Sequence, residues 1–119
     1  MIKRGDIYDV DLEPARGSEQ GKRRPCMVIQ NDIANNVSPV TIVATITGSE
    51  NVKKVFPVLV AVKKGQGGII KDSFIQCNQV RTVDKGRLVK YRGTLPDDKL
   101  NEIDDALVIS LGINKVKKM

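Results

Sequence analysis

The chain has no histidine and no tryptophan, and only two cysteines, two tyrosines and two phenylalanines among 119 residues. Without histidine there is no His-ligated metal, no Ser-His-Asp triad and no acid–base pair of histidines. Cys26 and Cys77 stand far apart in sequence and match neither a zinc-ligand spacing nor a C-x-x-C redox motif. Both fall in apolar, strand-like runs, which predicts buried, reduced thiols. Any catalysis must therefore use Arg, Lys, Ser, Thr, Tyr or carboxylate groups, and no cofactor or metal is expected. Long hydrophobic runs are also missing. The apolar stretches around Thr41–Ile46 and Val58–Val62 are far too short to cross a bilayer. The opening Met1-Ile2-Lys3-Arg4-Gly5-Asp6 has no apolar segment behind its charges, so the expectation is a cytoplasmic protein without membrane contact.

Positive charge is plentiful. Twenty Lys and Arg against 14 Asp and Glu give a net charge of +6. The imbalance is uneven: positions 97–105 hold five acids and one Lys, a local −4, which leaves +10 on the remainder. A basic body with one acidic segment suits nucleic acid or an acidic protein partner, although charge of this size also serves plain solubility. So few aromatic residues argue against a sheet that stacks bases on aromatic rings.

The length predicts one domain spanning 1–119. Asp6–Leu12 alternates, with Tyr8, Val10 and Leu12 on one face and Asp9 and Asp11 on the other, as in a half-buried strand. Further strands are predicted at about 26–30, 40–46, 57–62, 73–81 and 87–93, with a short helical turn within 31–39. After Leu95-Pro96, Leu100, Ile103, Leu107 and Leu111 recur at helical spacing. Asp97 or Asp98 is the expected cap, Gly112 the expected stop, and 114–119 a frayed basic tail. The pattern predicts a mainly β protein, a small β-barrel with a C-terminal α-helix.

The stretch with most chemistry runs from Gly17 to Asp32. A glycine-bracketed loop, Gly17-Ser18-Glu19-Gln20-Gly21, delivers a carboxylate and the cations Lys22, Arg23 and Arg24 to the start of an apolar strand. Function is commonly carried by loops positioned on such a rigid element. By residue type alone the loop reads equally well as a solvated basic hairpin. Arg24 before Pro25 would then be ordinary surface, Thr47 would satisfy a turn, and Gln79 and Arg81 would be a polar face.

Several segments, in register along nearly the whole chain, resemble the MazF/PemK toxin endoribonucleases, nearest to those of Gram-positive bacteria. They are Lys3-Arg4-Gly5-Asp6-Ile7-Tyr8, Gly17-Ser18-Glu19-Gln20-Gly21, Arg24-Pro25, Val28-Ile29-Gln30-Asn31-Asp32, Val43–Thr47, Gln79–Asp84 and Asp105–Leu111. The resemblance implies an SH3-like or CcdB-like barrel, a homodimer, and metal-independent cleavage of single-stranded mRNA at short sequences. It also implies a partner antitoxin whose acidic, disordered C-terminal segment occupies the RNA groove. The family's catalytic Arg and Thr correspond to Arg24 and Thr47. Ser18, Glu19 and Gln20 match the loop beside them, and Gln79 and Arg81 match positions lining the groove.

The implied chemistry suits these residue types. RNA supplies its own nucleophile, so the enzyme must align the 2′-OH and stabilise charge on the phosphate oxygens. The planar fork of Arg24 can bond two such oxygens, and the Thr47 hydroxyl can donate to a non-bridging oxygen or orient the 2′-OH. Lys22 and Arg23 read as substrate-attracting charge. The proton acceptor is not obvious, because Arg titrates above about 12; Glu19 is a candidate by position. Two departures bear on base choice. Asn78 stands where many relatives carry an acid, and Phe56-Pro57-Val58 replaces an expected Thr-His pair, so the cleavage sequence does not transfer. The alternative readings are a non-catalytic RNA-binding barrel and a toxin of the same fold acting on DNA gyrase. Strand scission in EDTA and a supercoiling assay separate them.

Overall fold

The computed structural model describes residues 1–114. Six strands form one antiparallel sheet: β1 (Asp6–Asp11), β2 (Arg23–Val28), β3 (Val40–Gly48), β4 (Leu59–Val62), β5 (Ser73–Asp84) and β6 (Leu88–Thr94). Their spatial order is β4-β5-β3-β2-β1-β6. A short helix α1 (Asp32–Val37) joins β2 to β3, and α2 (Asp97–Leu111) follows β6. The mainly β class with a C-terminal helix is as expected. The sheet, however, is not closed into a hydrogen-bonded barrel; β4 and β6 are its two edges.

Glycine packing bridges the gap between those edges. A 3-10 turn, Gln66–Gly68, connects β4 to β5 and lies against β6. A Cβ on Gly68 would stand 2.2 Å from the Arg92 carbonyl oxygen, and one on Gly93 would stand 2.7 Å from the Gly67 carbonyl carbon. Backbone meets backbone here, and no side chain fits between.

Both faces of the sheet are covered at its centre. Alternation along β2 sends Met27 to one face, with Ile7, Ala44, Ile46, Ile75 and, from α2, Ile103 and Ala106. It sends Cys26 and Val28 to the other, with Val10, Leu12, Val43 and Val83. Tyr8 packs against this second cluster, as the alternation of β1 predicts. Ile7, on the opposite face of the strand, is fully buried as well, because α2 covers that side. Both thiols are free and buried; loss of hydration pushes Cys26 up to about 12 and Cys77 up to about 11.

The ends of α2 differ from expectation. Its N-cap is Pro96, which offers no side-chain hydrogen bond; Asp97 and Asp98 lie inside the first turn, where they face the positive end of the helix dipole. Gly112 stops the helix with φ of 68°, as its position predicts. Leu111, the last residue of the helix, is exposed rather than part of the apolar stripe. Ala106 takes a core place that hydrophobic spacing did not single out. All of the expected basic tail beyond Asn114 lies outside the described residues.

Candidate active site

The loop between β1 and β2 is tied down more firmly than its glycines suggest. The Leu12 N–H donates to the Lys22 carbonyl at 2.9 Å, closing the loop at its base. Two guanidinium groups hold the outgoing stem: Arg81 donates to the carbonyls of Leu12 and Pro14, and Arg87 to those of Asp11 and Glu13. The Glu13 carboxylate accepts the Lys22 N–H at 3.1 Å, and the Glu19 carboxylate accepts the Arg16 N–H at 2.6 Å. Lys22 itself sits in the left-handed region, with φ of 62°. A Lys there is strained by about 1–2 kcal/mol, and the backbone reversal aims the chain into Arg23 and Arg24.

Strand pairing carries the two candidate catalytic residues to the same end of the sheet. β2 and β3 pair antiparallel through Val28↔Val43, Met27↔Ala44 and Cys26↔Thr45. The pairing ends there; Arg24 and Thr47 each lie two residues further along β2 and β3, toward the same end of the sheet. Both then lie on the face that carries Cys26, Val28 and Val43. β3 runs to Gly48, two residues beyond the predicted end, so Thr47 belongs to a strand and not to a turn. The Arg24 Nε donates to the Gly21 carbonyl at 3.1 Å, which fixes one edge of the guanidinium against the loop. Thr47 is buried, and its hydroxyl accepts from the Asn51 amide at 3.2 Å.

The predicted residues divide between two cavities. One, of about 260 Å³, is lined by Lys22, Arg23 and Arg24 with Asn51, Lys71 and Arg92 over an apolar floor that includes Pro25 and Ile46. The other, of about 400 Å³, is lined by Glu19, Gln20, Gln79 and Arg81 together with Thr45 and Asn78. Ser18 and Thr47 line neither. Ser18 touches the second through its carbonyl, which accepts from the Gln79 amide at 3.4 Å. Glu19 and Arg24 thus face different cavities, on either side of the loop's end. A β-bulge in β5 makes the second cavity: between Ala44↔Val80 and Thr45↔Gln76 three residues, Cys77, Asn78 and Gln79, are left over in the ladder.

Charge around the first cavity is only partly neutralised. Arg92 is held by both oxygens of Asp9, at 3.0 and 2.8 Å, and Lys71 pairs with Glu50. Its pairing with Lys71 holds the Glu50 carboxyl below the usual range. Among the described residues Lys22, Arg23 and Arg24 have no carboxylate partner. Three adjacent uncompensated cations beside a cavity make a seat for an anion.

A family model described as PemK-like, MazF-like toxin of type II toxin-antitoxin system matches residues 3–111. The chain belongs to that family. Solved structures agree on the fold. MazF from Deinococcus radiodurans superposes with a TM-score of 0.79 at 24% identity, over 94% of this chain and 97% of that one. An endoribonuclease from a mycobacterial species, solved with its cognate antitoxin, gives 0.78 at 20% identity over 96% and 98%. The Mycobacterium tuberculosis toxin MazF-mt6 gives 0.77 at 17% identity over 92% and 98%.

Several residues lining these cavities carry no sequence signal of their own. Asn51, Lys71 and Arg92 reach the first cavity from three separate segments, and only the curl of the sheet gathers them. Asn78 was legible as a departure from the family pattern; that it lines a cavity follows from the bulge. Arg81 lines the second cavity and also anchors the loop, a double duty that spacing alone does not reveal.

Proposed function

We propose that this toxin is a sequence-specific, metal-independent endoribonuclease that cleaves single-stranded mRNA and so arrests translation and growth. The observation that carries the reading is a cavity rimmed by Lys22, Arg23 and Arg24 without carboxylate partners, at the end of the sheet where β2 carries Arg24 and β3 carries Thr47. In the reaction the 2′-oxygen attacks the adjacent phosphorus while the P–O5′ bond breaks. The 2′-OH proton is lost and the departing 5′-oxygen gains one, leaving a 2′,3′-cyclic phosphate and a 5′-OH. The free amino groups of Arg24 bond two phosphate oxygens, and Thr47 donates to the phosphate or orients the 2′-OH. Donors fixed in advance where charge develops are the main source of acceleration in such a site.

Lys22 and Arg23 attract the polyanion, and Ser18, Gln20, Gln79 and Arg81 contact the RNA beyond the scissile phosphate. Glu19 is the one carboxylate of the proposed set; a Glu19→Gln variant separates proton acceptance, which changes the pH profile, from loop positioning, which does not. The partners are single-stranded RNA, a second copy of the chain in a homodimer, and a cognate antitoxin whose acidic, disordered C-terminal segment competes for the same cations. Two free thiols suit the reducing cytoplasm as its location.

The deciding experiment is a primer-extension map of cuts on a long RNA in excess EDTA. Discrete cuts that vanish in Arg24→Ala and Thr47→Ala support the reading. Cleavage that requires added metal, or full activity in Arg24→Ala, overturns it.

A further inference from the structure

We infer that Asn51 is a positioning residue that sets the direction of the Thr47 hydroxyl proton. The role rests on the nuclease reading above and extends it to a residue outside the proposed catalytic pair. Asn51 closes a 3-10 turn, Ser49–Asn51, that leaves β3 immediately after Gly48. Its amide Nδ2 donates to Thr47 Oγ1 at 3.2 Å, and its side chain lines the cavity that Arg24 lines. A threonine hydroxyl has one proton to give and two lone pairs to offer. With one lone pair held by an amide that can only donate, the Thr47 proton has to point to another acceptor. Thr47 itself lines neither cavity, and the acceptor inferred for its proton is a phosphate oxygen of RNA bound beside Asn51.

The turn is built to hold this geometry. The Ser49 N–H donates to the Asp72 carbonyl at 2.9 Å, and the Val52 N–H returns to the Ser49 carbonyl at 3.1 Å. Between them, the Glu50 side chain pairs with Lys71, joining the turn to the segment before β5. Asn51 is therefore presented by a hydrogen-bonded turn tied to the segment before β5, which serves pre-organisation of a donor.

The test uses the purified full chain and a single-stranded RNA oligonucleotide bearing a cut site mapped on the long RNA. Asn51→Ala is expected to lower kcat about three- to tenfold, the effect of one hydrogen bond, with KM changed less than about twofold. Asn51→Asp keeps the shape but presents acceptors, which draw the Thr47 proton inward; its kcat falls toward that of Thr47→Ala. On the residual single-turnover rate of Thr47→Ala, read with excess enzyme, Asn51→Ala has no further effect. Equal losses in the wild-type and Thr47→Ala backgrounds overturn the inference, as does an unchanged kcat. A rise in kcat also overturns it, since Asn51 would then be covering Thr47. If the wild-type chain does not cleave, the nuclease reading and this role fall together; if it cleaves and Asn51→Ala matches it, only the role of Asn51 falls.

Discussion

Replacing Arg24 tests the chemistry most directly, and two substitutions together make the test quantitative. The side chain has one fixed edge, Nε on the Gly21 carbonyl at 3.1 Å, and two free amino groups on the cavity side. Arg24→Ala removes the whole fork. The loss of a pre-organised donor to developing oxyanion charge costs about 10²- to 10³-fold in kcat, or about 2.7–4 kcal/mol. Arg24→Lys keeps the charge but loses both the Gly21 anchor and the bidentate geometry, so it recovers only part of that loss. The fold pays little for either change. Arg24 is only partly buried and its protein partner is a single carbonyl, a net loss of about 0.5–1.5 kcal/mol. The assay is single-turnover cleavage of a fluorescent oligonucleotide in EDTA, with thermal unfolding followed by circular dichroism on the same samples. The reasoning is refuted if Arg24→Ala keeps more than a tenth of the wild-type rate. It is equally refuted if Arg24→Lys is as fast as wild type, which would mean that charge alone suffices.

Lys22→Gly relieves the left-handed strain at φ of 62°, so its unfolding midpoint equals or exceeds wild type, while RNA affinity falls and the salt slope of binding drops by about 0.7. A slope identical to wild type would remove Lys22 from the RNA contact. Asn35→Ala strikes a buried network in which Asn35 bonds Gln30, Asp32 and Thr41; it strands the fully buried Thr41 hydroxyl and destabilises by about 2–4 kcal/mol in urea unfolding. A loss below about 0.5 kcal/mol would show that water replaces those bonds. The buried thiols give a pH test with a definite sign. Their folded values, about 12 and about 11, lie above the ordinary 9.0, so the native chain keeps protons that the unfolded chain releases. That contribution is complete below pH 9 and lost as pH rises toward 11 and 12, and the decline between pH 8 and 10 is smaller in Cys26→Ala. Iodoacetamide at pH 8 should label neither thiol until the chain unfolds; fast labelling of the native protein would contradict their burial.

How the site became legible differs from residue to residue. Arg24 and Thr47 stand out in the sequence only through the family motif, because an Arg before Pro and a Thr near a strand end are ordinary surface and turn residues. The fold adds an antiparallel β2–β3 register that carries both residues to one end of the sheet, which sequence cannot state. Gln79 and Arg81 were visible as a polar pair on a predicted strand, but the bulge that lifts them into a cavity with Glu19 depends on how β5 pairs with β3. Asn51, Lys71 and Arg92 were invisible, since each reaches the first cavity through loop geometry and long-range packing.

By itself, the sequence determined what is set by composition and local period. The lack of histidine limited the chemistry to arginine, hydroxyl and carboxylate groups, and the alternation in β1, the helical spacing near the end and Gly112 set the class of fold. Local patterns suffice there because backbone period and burial of one face are local properties. Tertiary structure alone decided that the sheet stays open and is bridged by Gly67, Gly68 and Gly93. It also decided that Ile7 and Val10, on opposite faces of β1, are both buried, that three uncompensated cations line one cavity, and that the Thr47 hydroxyl is already claimed by Asn51. Those outcomes depend on contacts between residues distant in the chain, and no local pattern encodes which distant side chain arrives.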